Sequence, residues 1–574
     1  MAGGYTPPVT RRASLVLLGV LGVGVFLAGM ELMITAVALP SIIVHFSEQI
    51  YGAPDWRVLR AASWVINGYL LVYVVTMPLA GRLADIVGAR RLVYCGLVLF
   101  AVGSALAGAA QTLEQLVAAR LLQAAGGGTL VPVATAAASH LFEGHARPRA
   151  LGVVGALTFL GMAAGPFAGA AILERIHPEV LLAALDPGAD PSVAPAAAFL
   201  APAWRWVFYV NVPIGIVALA LAWAVSAGWE TPRRAARVDL AGGALVGLGL
   251  GALLVGLTLT GSSPGPGDGG PDPAAVAPGA LLVGGVATVL ALASGLRRRD
   301  PFLDPRLFRR PAFAGAALVS LITGYGLATA IVGGAVFVDR VLYGGPGDQQ
   351  VALGTLAGAT AAGALAAGFV ARHASLRLVT LVGLALSVAA LARMGTWPGR
   401  EVDLAELALV LGAFGAGFGL TVTPRSTAAV EAAGRAAFGA ASATVTVARM
   451  IGMAVGLAIL TSYGSSTIDR LAADVYATPD AYRRYIPEDL RDRSLDDGLV
   501  VDALETWASD EAARILEGIF LAAAGVTLLA VPPALVLGGR PRILTGEGVA
   551  TATAPGAEGG EGDGEAGTEP TLAL

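Results

Sequence analysis

Apolar and polar positions alternate along this chain on the scale of a membrane. Runs of about 20 mostly apolar residues recur throughout, which is the length a helix needs to cross a ~30 Å hydrocarbon layer. They predict fourteen helices over 15–43, 62–80, 92–110, 114–140, 150–174, 206–227, 239–260, 278–296, 311–338, 351–371, 376–394, 404–424, 437–463 and 512–537. The first run continues past Pro40 with no small-residue cleavage site behind it, so it reads as a retained span. Two polar segments are long: 175–203, rich in Ala and Pro, and 464–511, dense in acids with interspersed Arg and Tyr. The Gly/Glu/Ala-rich stretch 538–574 reads as a disordered tail.

Composition agrees with the pattern. With 56% hydrophobic residues, 14% charged and a mean hydropathy of +0.72, an all-α polytopic membrane protein is expected. All 37 basic residues are arginine, and 22 of them fall on one side if the N-terminus is cytoplasmic. The positive-inside rule then puts both termini in the cytoplasm of a bacterial cell membrane. Cys95 is the only cysteine, which excludes an intrachain disulfide, and the five histidines lack metal-ligand spacing. No catalytic constellation, metal, cofactor or nucleic-acid partner is expected.

Two landmarks recur. Gly161-Met162-Ala163-Ala164-Gly165 in the fifth span returns as Gly452-Met453-Ala454-Val455-Gly456 in the thirteenth. The run Gly81-Arg82-Leu83-Ala84-Asp85-Ile86-Val87-Gly88-Ala89-Arg90-Arg91 has a worn echo from Gly368 to Arg377. Both agree only with a 6 + 2 + 6 layout. The expected divisions are an N-terminus 1–14, a six-helix half 15–227, an inserted pair 228–300, a second half 301–537 and the tail.

Few residues in the spans carry chemistry. Glu31 is the one carboxylate deep inside a span, where an ionised acid costs about 2.5–3.5 kcal/mol on insertion scales. It is either a proton carrier facing a polar cavity or a protonated acid bonded between helices. Arg120, counted inward from its own end of span four, reaches a depth comparable to Glu31, roughly 24 Å from the inner end of span one. The two can interact; the alternative for Arg120 is a helix-bridging structural role. Gly161, Gly165, Pro166 and Gly169 suit close helix approach and a bend. In the 81–91 run, the glycines allow a tight reversal. Asp85 there can accept hydrogen bonds from a helix N-terminus of the other half, as a gate, or simply anchor topology. Arg449 is a buried charge with a conformational or a packing role. Trp204-Arg205-Trp206 reads as an interfacial aromatic belt with an arginine anchor.

The 81–91 run resembles the loop between helices two and three of the major facilitator superfamily. Further segments resemble its fourteen-helix drug:proton antiporter branch: Glu31 to Pro40, Arg120-Leu121-Leu122-Gln123, Gly161 to Ala170, Trp204 to Gly215, and Arg449 to Gly452. The resemblance implies a major facilitator fold and proton coupling through Glu31 and Arg120. It also implies a cytoplasmic gate at Gly81, Asp85, Gly88, Arg90 and Arg91, an exporter hinge at Gly161, Gly165, Pro166 and Gly169, and conformational roles for Gln123 and Arg449. The expected activity is proton-coupled efflux of lipophilic or cationic compounds, with substrate, protons and the bilayer as partners and an envelope partner possible at 464–511. The stretch Ser63 to Tyr73 and the long outer segments also look like mycobacterial triacylglyceride exporters, so lipid export is the alternative. A non-transporting sensor or scaffold is the remoter one.

Overall fold

The computed structural model describes residues 10–51, 56–178, 180, 197–226, 229, 239–260, 273–298, 301–397, 399–475, 481–492 and 497–539. The tail 540–574, most of 181–196 and of 227–238, and the tip of the long outer segment lie outside the described residues. Fourteen helices are long and apolar enough to cross a membrane, and no strand occurs among the described residues. They are α1 (Arg11–Tyr51), α2 (Trp56–Val87), α3 (Ala89–Ala109), α4 (Leu113–Leu141), α5 (Ala146–Arg175), α6 (Arg205–Val225), α7 (Leu240–Thr260) and α8 (Pro273–Arg297). The rest are α9 (Pro311–Val336), α10 (Pro346–Val370), α11 (Leu376–Met394), α12 (Leu404–Ala433), α13 (Phe438–Val475) and α14 (Gly498–Leu528).

One apolar core runs through α1–α6 and takes in Val246, Leu250 and Ala291 of the α7–α8 pair. Two further clusters fill α9–α14. The repeated glycines are where each half is tightest. A Cβ on Gly161 would strike the Phe26 carbonyl, and one on Gly165 would lie 2.8 Å from the Met30 carbonyl, so α5 rests directly on the α1 backbone beside Glu31. Gly452 and Gly456 do the same in the second half, against Leu321 and Tyr325 of α9. Gly169 continues the contact at Ile34, and α5 stays continuous through Pro166.

The second landmark joins the halves. Gly81 lies against the Gly439 carbonyl at the start of α13, and Gly368 lies 2.7 Å (as a built Cβ) from the Pro148 carbonyl at the start of α5. Helix two of each half therefore crosses helix five of the other at the same end of the bundle.

Three expectations are corrected. The 81–91 run is not a loop with two turn glycines: residues up to Val87 are helical, and the reversal is made at Gly88 alone, with φ 103°. Gly81 is a close-packing residue instead. The outer segment 464–511 is largely helix, because α13 continues to Val475 and α14 starts at Gly498. At 38 and 31 residues these helices span about 57 and 46 Å, well beyond a ~30 Å core. Hydropathy marks where apolar character stops, while a helix continues through polar residues until something breaks it. The projecting part has its own small cluster, Ile486 and Val500 with Tyr485 and Trp507, and Ser509 donates to the Val341 carbonyl at 3.0 Å. Third, α12 runs on to Ala433, past the predicted end of its span at 424, so Arg425, the next residue, lies inside the helix and not in an inner loop.

Adding a single methyl separates the tight glycines from the open ones. Gly161→Ala should lower stability by about 1–3 kcal/mol, because the α1 carbonyl cannot yield. Gly285→Ala, with nothing within 4 Å, should leave it unchanged or raise it. Thermal unfolding of the purified protein in detergent measures both; equal midpoints would contradict the α1–α5 contact.

Candidate functional site

A fully buried polar cluster lies inside the first half. Glu31 is 0% and Arg120 1% exposed, and Gln123, Asn211, Ser104 and Thr35 are buried with them. The Glu31 carboxylate accepts from Arg120 Nη1 and from Thr35 Oγ1 at 2.9 Å on one oxygen, and from Asn211 Nδ2 at 2.6 Å on the other. Arg120 also donates from Nε to the Val65 carbonyl at 3.2 Å and from Nη1 to Gln123 Oε1 at 2.6 Å. Gln123 Nε2 then donates to Ser104 Oγ at 2.7 Å, and Ser104 to the Phe100 carbonyl at 2.8 Å. Five helices thus contribute side chains or carbonyls: α1, α2, α3, α4 and α6.

The counting that put Glu31 and Arg120 at equal depth on different helices is matched by a direct ion pair. A buried pair is stable only if the remaining donors and acceptors are satisfied, and removing one partner costs about 3–5 kcal/mol. Thr35, Gln123 and Asn211 meet that requirement here. Two atoms are left over: Asn211 Oδ1 and Tyr69 Oη are buried without hydrogen-bond partners. The Tyr69 ring lies 4.1 Å beneath the Arg120 guanidinium and stacks on Tyr73 at 5.7 Å.

Asn211 is the residue that sequence reasoning passed over. It stands in Trp204 to Gly215, read above as an interfacial belt, and the one available signal was an amide inside an apolar span. The belt reading is corrected as well. Trp204 and Arg205 are buried, and Arg205 donates to the carbonyls of Gly108 at 2.7 Å, Ala201 at 2.8 Å and Ala110. It caps the end of α3, whose last carbonyls have no intrahelical donors.

At the 81–91 end, Asp85 accepts from the Gly439 N–H at 2.8 Å and the Ala440 N–H at 2.9 Å. The carboxylate of the first half therefore caps α13 of the second, where unpaired N–H groups and the helix dipole favour an anion. Arg90 is half-buried and donates to Tyr94 Oη at 3.4 Å, while Arg91 is exposed. Two ion pairs missed from sequence also bridge the halves: Arg147 with Glu431 at 3.6 Å and Arg435 with Glu143 at 2.5 Å. This end of the bundle is closed.

Arg449 is buried on α13 and does not join the Glu31 cluster; its guanidinium lies 5.5 Å from the Phe159 ring. No group of three or more metal-ligating side chains occurs among the described residues. A sideways cleft of ≈ 770 Å³ lies between α2 and the α7–α8 pair, lined by Leu71, Val75, Gly251 and Val283 among other apolar residues.

Comparison with known proteins agrees with this architecture. The family model described as "Major Facilitator Superfamily" matches residues 21–457. A protein of Mycolicibacterium hassiacum named triacylglyceride transporter is 32% identical over 71% of this chain and 72% of its own length. A protein of the same name in Mycobacterium tuberculosis is 30% identical, over 73% of this chain and 78% of its own. Among solved structures, a bacterial homologue of the human lysosomal transporter Spinster, inward-facing and unoccupied, superposes with a TM-score of 0.55 at 16% identity, covering 92% of this chain and 98% of that one. A proton:xylose symporter gives 0.52 at 13%, covering 91% and 96%. A family match over most of the chain, an all-helical bundle of fourteen spans and the shared fold make this chain a member of the major facilitator superfamily, a membrane transporter and not an enzyme.

Proposed function

We propose that this chain is a proton-coupled exporter of lipids, with triacylglyceride-like molecules as the first candidates. The observation that carries the coupling is the buried Glu31 carboxylate with three donors, at the centre of the first half. The relatives' names favour lipid over the drug cargo expected from the antiporter branch. Charge favours it too. Inside the spans one buried carboxylate, Glu31, stands against the buried guanidiniums of Arg120, Arg425 and Arg449, a surplus that repels cationic drugs. The apolar cleft beside α2 suits hydrocarbon.

The chemistry follows from the site. Ionised Glu31 holds Arg120, Thr35 and Asn211 together. A proton taken up by Glu31 removes the charge that Arg120 pairs with and turns one carboxyl oxygen into a donor. Asn211 can answer that change, since rotating its amide presents Oδ1, now without a partner, as the acceptor. The resulting loss of the ion pair loosens α4 from α1 and biases the halves towards a second arrangement. With both termini cytoplasmic, the closed 81–91 end faces the cytoplasm, and release of Asp85 from α13 opens it.

Proteoliposomes with an imposed pH gradient test the cargo and the coupling together, using a fluorescent triacylglyceride analogue in one arm and a lipophilic cationic dye in the other. The lipid should move down to acceptor vesicles in a gradient-dependent way and the dye should not. Glu31→Gln should slow lipid release roughly tenfold or more and lower the unfolding midpoint, since Arg120 is left buried without its counter-charge, while Asn211→Ala should slow release less and with a near-normal midpoint. Movement of dye in place of lipid would favour the drug-antiporter reading, and equal rates for Glu31→Gln and wild type would sink proton coupling.

The gate has its own test. In a Cys95→Ser background, Ala443→Cys reports on the α2–α13 seam, where Ala443 is buried against Gly81. Adding Asp85→Ala should speed labelling by a water-soluble maleimide several-fold, as the two bonds to α13 are lost. Unchanged labelling would remove Asp85 from the gate.

A further inference from the structure

Arg425 and Arg449 sit at the heart of the second half without the compensation that other buried arginines have. Arg120 has Glu31, Arg147 has Glu431, and Arg205 has three backbone carbonyls. Arg425 donates only to Thr323 Oγ1, at 2.5 Å, and faces the Phe418 ring at 5.0 Å. Arg449, 8% exposed, has a buried Nε with no hydrogen-bond partner and faces Phe159. The charged and ionisable groups acting on the two are each other and Tyr73; no acid is among them. Arg425 lies eight residues before the end of α12 and Arg449 eleven residues into α13, so both are about 12–17 Å from the 81–91 end. Two buried like charges that act on each other across the Phe159–Phe418 pair are costly unless an anion joins them.

We propose that Arg425 and Arg449 form a subsite for the anionic headgroup, a carboxylate or phosphate ester, of a lipid entering from the 81–91 end. This rests on the lipid-export reading and extends its cargo from neutral triacylglycerides to amphiphiles with an acidic head. Both guanidiniums offer planar forks of donors that match carboxylate and phosphate oxygens, and Thr323 holds the first of them in place. The surrounding rings, Phe159 and Phe418, pack edge to face at 5.6 Å and give the walls an apolar surface. A free inorganic anion would lose its hydration there with few donors in return, whereas a lipid brings acyl chains that gain from the same walls. Tyr73 and Tyr69 continue the path from Arg449 towards Arg120, so an anion seated here lies on the way to the proton site.

Binding to the purified full chain in neutral detergent tests this, with phosphatidate and diacylglycerol of identical acyl chains as probes and tryptophan fluorescence as the readout. Wild type should bind phosphatidate roughly tenfold more tightly than diacylglycerol. Arg449→Gln and Arg425→Gln should erase that preference while leaving diacylglycerol affinity in place, and Arg449→Lys, which keeps the charge without the fork, should retain part of it. Equal affinities in wild type, or a preference that survives both glutamine variants, would overturn the subsite. Displacement of phosphatidate by inorganic phosphate alone would make it a small-anion site and overturn the lipid assignment. If neutral lipids bind without headgroup preference, only the subsite fails; if no lipid binds, the export reading fails with it.

Discussion

The structure depends on one buried interaction, the Glu31–Arg120 pair. Neither charge can stay at this depth alone, and together they still need every remaining donor and acceptor to be met. That requirement recruits Thr35 one turn along α1, Gln123 one turn along α4, Ser104 from α3 and Asn211 from α6. The first half is therefore organised around a polar centre inside an apolar shell. In the proposed mechanism a change in protonation there reaches five helices at once, α1 to α4 and α6, and so links a small chemical event to a larger movement.

Close backbone approach makes this possible. Glu31 lies on a stretch of α1 against which α5 is pressed at Gly161, Gly165 and Gly169, so the carboxylate has little freedom to swing away. The second half repeats the device with Gly452 and Gly456 on α9, yet no buried carboxylate occurs at its centre among the described residues. There the buried charges are Arg425 and Arg449. The two halves thus share a scaffold and differ in electrostatics, one balanced internally and the other left positive.

The junction between halves follows the same logic. Gly81 and Gly368 let helix two of each half touch helix five of the other, but only the first contact carries an acid, Asp85, on the N-terminus of α13. The opposite crossing, where the echo has Arg372, has two ion pairs near it, Arg147 with Glu431 and Arg435 with Glu143, which tie the start of α5 to the end of α12 and the turn behind it. The closure is asymmetric in chemistry while symmetric in shape.

Sequence alone was enough for the helix count, the repeat and the depth of Glu31 and Arg120. All three rest on linear quantities: run length, spacing and the rarity of charge in apolar spans. Counting allowed the two to meet; that they do, across 89 positions of chain, was decided by how α1 and α4 pack. Where a helix ends, how α13 and α14 project, and that Arg425 is interior and not in a loop were decided by tertiary packing, because a polar residue can continue a helix and be buried by a neighbour the sequence does not name. Asn211 belongs to the same class. An amide inside a span has no meaning until the fold brings it within hydrogen-bonding distance of a carboxylate 180 residues away.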